Sequence, residues 1–119
     1  VDLPAGGAYP SGSVSALIVF ATFPDVGAAR RIVRTLVEEQ LIACGNLVPN
    51  VESIYRWKGD VVASTEVLGI MKTEEDRFEQ VQIRLREMHP YEVPECVAVR
   101  IEDGLPDYLR WLTESVIPQ

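Results

Sequence analysis

The feature that most restricts the fold is a strand-rich stretch longer than a small domain can use. Glu52–Lys58 and Val61–Lys72 are rich in β-branched and aromatic residues and flank Gly59-Asp60. Two such arms around a two-residue turn predict a β-hairpin, and a Gly-Asp loop suits a type II′ turn. The chain has 119 residues, room for one domain. A core of that size cannot cover the whole second arm, so the hairpin is expected to project beyond it.

The flanking segments place this hairpin inside a larger pattern. Val1–Ser13 mixes Gly, Pro, Ala and Ser without period and reads as a flexible leader; a single domain is expected over residues 14–117. Ser15–Phe23 is an apolar strand ended by Pro24. Asp25 is placed to cap a helix by accepting the N–H near Ala28. Ala29, Ile32, Val33, Leu36, Val37 and Leu41 then fall on one helical face. Ile42–Val51 reads as a strand interrupted by Gly45 and Pro49, both of which suggest bends or bulges rather than a regular central strand. Thr73 is the expected N-cap of a second helix, with Asp76 at capping-box spacing and a stripe of Phe78, Val81, Leu85 and Met88. Pro90 stops that helix near His89. Cys96–Glu102 alternates Val97, Val99 and Ile101 against Ala98, Arg100 and Glu102, a strand with one covered face. Asp107–Val116 is a short last helix.

The order β-α-β-β-α-β plus a terminal helix predicts an α+β, ferredoxin-like sandwich. Its helices lie on one sheet face. The other face and the long hairpin need a cover, and self-association with closed symmetry supplies one without forming fibres.

Composition narrows the function classes. The net charge is −7, which disfavours nucleic acid and anionic membrane surfaces as partners. The longest strongly apolar run, Ala16–Ala21, is too short to span a bilayer, and a cytoplasmic location is expected. Two cysteines, Cys44 and Cys96, sit in apolar runs and read as small hydrophobes rather than a disulfide framework. No nucleophile elbow, P-loop or dinucleotide fingerprint is present, so catalysis is not expected. The loop after the first strand, Phe23-Pro24-Asp25-Val26-Gly27, offers no cation to hold a phosphate.

His89 is the only histidine. It has two readings: a helix-end residue that fixes the following turn, or a cleft residue that binds a metal or small anion. A helix C-terminus favours its cationic form. As a metal site, His89 and Glu95 supply one nitrogen and one oxygen ligand, short of the three or four that specific binding needs. Tyr55 and Trp57 share one strand face and are expected to anchor a partner. Glu66, Lys72 and Glu92 are candidates for ion pairs between chains.

Several segments together resemble the CutA family of divalent-cation tolerance proteins. These are Ile42 to Pro49, Ser53-Ile54-Tyr55-Arg56-Trp57-Lys58-Gly59, Glu66 with Lys72-Thr73, His89-Pro90-Tyr91-Glu92-Val93-Pro94-Glu95, and Tyr108 with Trp111. The resemblance spans about Val14 to Val116. It implies a ferredoxin-like protomer in a stable homotrimer, with Tyr55, Trp57, Glu66, Lys72, Tyr91, Glu92 and Trp111 at an intersubunit cleft or interface. It also implies metal tolerance with no required cofactor, and binding of copper or another divalent metal. An alternative implied by likeness to PII proteins is a signalling trimer that binds a small anion between subunits. Three departures bear on this. Gly45 replaces a usual valine and is expected to loosen its strand. Ala21 and Met88 stand where some metal-binding members carry a cysteine and a histidine.

Overall fold

The computed structural model describes residues 15–117, so the expected leader lies outside the described residues. The elements are β1 (Ala16–Phe23), α1 (Val26–Glu38), β2 (Cys44–Trp57), β3 (Asp60–Glu74), α2 (Phe78–Met88), β4 (Val97–Arg100) and α3 (Pro106–Ser115). The sheet order is β2-β3-β1-β4, with every neighbouring pair antiparallel. This is the ferredoxin-like sandwich that the sequence order predicts.

Alternation along β1 sets the layers. Leu17, Val19, Ala21 and Phe23 are buried and pack with Ala29, Ile32, Val33 and Leu36 of α1 and Val81 and Leu85 of α2. Asp25 caps α1 as expected, with the Ala28 N–H donating to its Oδ1 at 2.8 Å. A second cluster joins Ala16 and Ala43 to Leu109, Leu112 and Val116 of α3. The opposite sheet face carries Ile18, Phe20 and Thr22 of β1, which pair with Lys72, Ile70 and Leu68 of β3. Directly paired residues share a side of the sheet, so these residues form one surface that α1 and α2 do not cover.

β2 and β3 make the long hairpin, and the molecule extends 48 × 31 × 22 Å. The structure decides four expectations. First, the turn is Lys58-Gly59, flanked by the Trp57–Asp60 pair, with φ of 50° and 88°. Positive φ at both central residues makes it type I′, not II′. Second, β2 is one strand with a register shift between Val48 and Val51. Pro49 has no N–H to contribute and Asn50 takes a left-handed φ of 60°, so the bulge expected at Pro49 is present and the strand runs on through it.

Third, Thr73 does not cap α2. It lies inside β3, fully buried, and its hydroxyl donates to the Leu41 carbonyl at 2.6 Å. Three residues of 3-10 helix, Glu75–Arg77, lead into α2 instead. Fourth, the one covered face expected for β4 is that of Ala98, not that of Val97 and Val99. They pair with Phe20 and Ile18 on the open side and are 52% and 51% exposed, while Ala98 packs against the core.

Gly45 also acts differently from expectation. A Cβ there would lie 2.5 Å from Cγ1 of Val33 and 3.3 Å from Cγ of Met71. The glycine lets α1 close onto the sheet rather than loosening the strand.

Candidate functional site

The hairpin and the loop after α2 enclose an open cleft of about 770 Å³. One wall is the part of β2 running from Ser53 to Trp57, the other is Pro90 to Glu95, and Thr22 and Glu66 form the floor. The register explains the first wall. Val51 pairs with Glu66, Ser53 with Ser64, Tyr55 with Val62, and Trp57 with Asp60. Ser53, Tyr55 and Trp57 therefore stand on the same side of the ribbon as Glu66.

Glu66 is the least exposed charged group of the cleft, at 6%. The Tyr91 hydroxyl donates to its Oε2 at 2.5 Å. A charge-assisted bond of that length stabilises a carboxylate that burial alone would penalise. Desolvation, then the hydrogen bond and negative charge of Glu66, push the Tyr91 phenol well above the usual tyrosine range. Tyr91 thus remains a donor under ordinary conditions. Glu92 lies toward solvent with Lys58 Nζ 3.9 Å from its Oε2, and Lys58 also stands 5.5 Å from the centroid of the Trp57 ring.

His89 lies behind Tyr91 rather than in the cleft. It is 7% exposed, stacks on Phe23 at 5.3 Å and meets Tyr91 at 4.7 Å between ring centroids. The Tyr91 N–H donates to its Nδ1 at 3.1 Å, and Nε2 lies 2.8 Å from the Thr22 carbonyl. A backbone N–H can donate only to an unprotonated nitrogen, so the proton sits on Nε2 and Thr22 accepts it. Both nitrogens are used, and the ring fixes the turn into the cleft wall.

The cleft therefore brings together Tyr55, Trp57, Glu66, Tyr91, Glu92 and Glu95. Two other expected site residues lie elsewhere. Lys72 sits along β3 from Glu66, roughly 20 Å away at ~3.3 Å per residue, and its ammonium donates to the Asn46 side chain. Trp111 of α3 packs on Tyr108 at 5.4 Å, near Cys44, whose Sγ lies 3.7 Å from the Tyr108 hydroxyl. Thr22 and Ser53 were not singled out from the sequence. The signal was available, because each is in two-residue phase with residues already on that face: Ser53 with Tyr55, Thr22 with Ile18 and Phe20.

The donor set bears on metal binding. Among the described residues no group of three or more His, Cys, Asp or Glu side chains stands close enough to hold a metal ion. The cleft offers carboxylate, phenol and hydroxyl oxygens, with no free imidazole. The Cys96 thiol beside it is pushed up to about 11, chiefly by burial and then by Glu95, which leaves little thiolate for a soft metal. One protomer does not fit a resident copper centre.

A ferredoxin-like sandwich with an overlong hairpin and a cleft at the hairpin's root defines a small α+β protein with one uncovered sheet face. Comparison with known proteins places it further. The family model described as "CutA1 divalent ion tolerance protein" matches residues 17–115. A divalent-cation tolerance protein CutA of Thermus thermophilus is 46% identical over 98 residues, covering 82% of this chain and 95% of the relative. Protein CutA of mouse is 44% identical over 115 residues, and the match spans 64% of that longer protein. The crystal structure of CutA from Xylella fastidiosa superposes with a TM-score of 0.84 at 36% identity, covering 87% of this chain and 99% of the other. The chain belongs to the CutA1 divalent ion tolerance family.

Proposed function

We propose that the chain acts in divalent-cation tolerance as a closed homotrimer, through binding and assembly rather than catalysis. Metal ions, copper included, meet it through carboxylates and through ligands shared between protomers, not through a resident centre built by one chain. The observation that carries this reading is the uncovered sheet face. Ile18, Phe20, Leu68, Ile70, Val97 and Val99 form one apolar strip on the side that α1 and α2 leave bare. At roughly 25 cal/mol per Å² of apolar surface buried, a strip of this kind favours association strongly. The edge strands β2 and β4 remain available for pairing, and closed symmetry is the arrangement that uses them without fibre growth. The number three comes from the family resemblance.

The alternative of a small anionic ligand is less well supported, because the residues lining the cleft include three carboxylates, Glu66, Glu92 and Glu95, and one cation, Arg56. Light scattering on the purified protein tests the assembly: the expected mass is three times the 13.3 kDa protomer. A monodisperse monomer at micromolar concentration refutes the proposal. Copper titration of the wild type and His89→Ala tests the metal reading. Weak, unsaturating binding that His89→Ala leaves unchanged is expected; tight stoichiometric binding lost in His89→Ala refutes it.

A further inference from the structure

One buried carboxyl belongs neither to the cleft nor to the apolar core. Glu74 ends β3, pairs with Ala16 of β1 and is 2% exposed. Its Oε2 is the one buried side-chain oxygen or nitrogen without a hydrogen-bond partner among the described residues. That atom is sealed from solvent inside a single protomer, so a second protomer packed outside cannot reach it either. Thr113 of α3 offers the carboxyl one hydrogen bond, from a hydroxyl that also donates to the Leu109 carbonyl at 3.1 Å. The cations of the surrounding elements are committed elsewhere. Lys72 of β3 donates to the Asn46 side chain, and Arg77, in the 3-10 turn after β3, donates to the Val116 carbonyl at 2.9 Å. Arg100 of β4 holds Glu75 at 2.6 Å, and Arg110 of α3 holds Asp107 at 3.0 Å. The other charges near it are anionic: Asp76 acts against ionisation of Glu74, and Glu114 of α3 is exposed. A carboxylate here has no countercharge, so the docked arrangement favours the neutral acid.

The element that covers Glu74 is lightly held. α3 follows residues 101–105, which have no regular structure, and Leu105 gives its first turn no side-chain cap. It buries Leu109, Leu112 and Val116 against Ala16 and Ala43, a small cluster separate from the main core. Ala16 and Glu74 are a direct pair and share a side of the sheet, the side opposite α1 and α2. An element attached through a small satellite cluster opens at lower free energy than the core. Ionising Glu74 beneath it weakens the attachment further, because the new charge gains water only when α3 lifts.

We propose that α3 is a proton-controlled latch: it lies over the end of the sheet while Glu74 is protonated and lifts, hinged on residues 101–105, when Glu74 ionises. The docked state holds the proton more tightly than the lifted state, in which Glu74 returns to the ordinary 4.5. Docking is therefore complete below pH 4.5 and weakens as pH rises. Between 4.5 and the raised value of the docked state, the lifted fraction grows by up to about tenfold per pH unit. The test is hydrogen exchange of the assembled full chain, read by mass spectrometry from about pH 5 to about pH 8 and corrected for the intrinsic pH dependence of exchange. Peptides over α3 are expected to lose protection as pH rises, while those over α1 keep theirs. Glu74→Gln keeps the shape of the side chain but cannot ionise, and its α3 protection is expected to stay flat across the same range. Asp76 is exposed, so Asp76→Asn is a second variant whose folding is not at risk; it removes a charge that favours the neutral acid and is expected to shrink the response. The proposal is overturned if α3 protection in the wild type does not change with pH, if either variant retains the full wild-type response, or if α1 loses protection in parallel with α3.

Discussion

Gly45→Ala gives the sharpest test of how the core is closed. The new methyl would stand 2.5 Å from Val33 Cγ1, against an ordinary contact distance of 3.4 Å or more. Either Val33 or the whole of α1 must then give way by about 0.9 Å. Val33 cannot simply rotate, because a β-branched side chain on a helix has one strongly preferred χ1. The helix cannot simply lift, because Ala29, Ile32 and Leu36 are fully buried on the same face. Overpacking of this kind costs ~1–3 kcal/mol. Reduced freedom of the unfolded chain returns ~0.4–1 kcal/mol. The backbone adds no strain, since Gly45 is not among the residues with positive φ.

A net loss of ~1–2 kcal/mol is therefore expected. The double variant with Val33→Ala removes the obstructing methyl, so in that background Gly45→Ala should cost nothing or stabilise. Guanidinium unfolding of all four proteins, at one fixed protomer concentration, measures the coupling. The reasoning fails if Gly45→Ala alone is neutral, or if its cost is the same with alanine at position 33.

Three further expectations follow from the same structure. Replacing both Val97 and Val99 with lysine puts charge on the open sheet face and should reduce the mass in light scattering to that of a protomer with its helical signal retained; an unchanged mass removes this face from the interface. Tyr91 has its folded pKa raised from the ordinary 10.0 by burial and by Glu66, so its contribution to stability is complete below pH 10 and is lost as pH climbs beyond it. Tyr91→Phe should therefore lose stability less steeply than wild type in alkaline unfolding, and parallel curves would contradict the Tyr91–Glu66 bond. Glu74 is 2% exposed, its Oε2 has no hydrogen-bond partner among the described residues, and burial raises its pKa against an opposing Thr113 hydrogen bond, with Asp76 reinforcing the rise. A raised carboxyl makes the folded state lose stability as pH rises from 4.5, so Glu74→Gln should raise the melting temperature at pH 7 and lose that advantage below pH 4.5.

Much of this protein was legible in its sequence, because local periodicity and punctuation are properties of the chain itself. The stripe from Ala29 to Leu36, the Asp25 cap, the stop at Pro90 and the hairpin between two β-rich arms follow from spacing and from residue chemistry. So does the grouping of Tyr55 with Trp57 on one strand face. The period of two fixes which residues share a face, but it does not say which face the helices will meet. Val97 and Val99 show this: they alternate correctly, yet register with Phe20 and Ile18 turns them away from the core. Handedness of the turn depended on pairing Trp57 with Asp60, which moved the loop by one residue and made both φ values positive. The tight approach of Val33 to Gly45, the partners of both His89 nitrogens, and the burial of Glu66 beneath Tyr91 each join segments distant in the chain. Such contacts are decided when layers pack, since only then do desolvation and excluded volume act on those particular atoms.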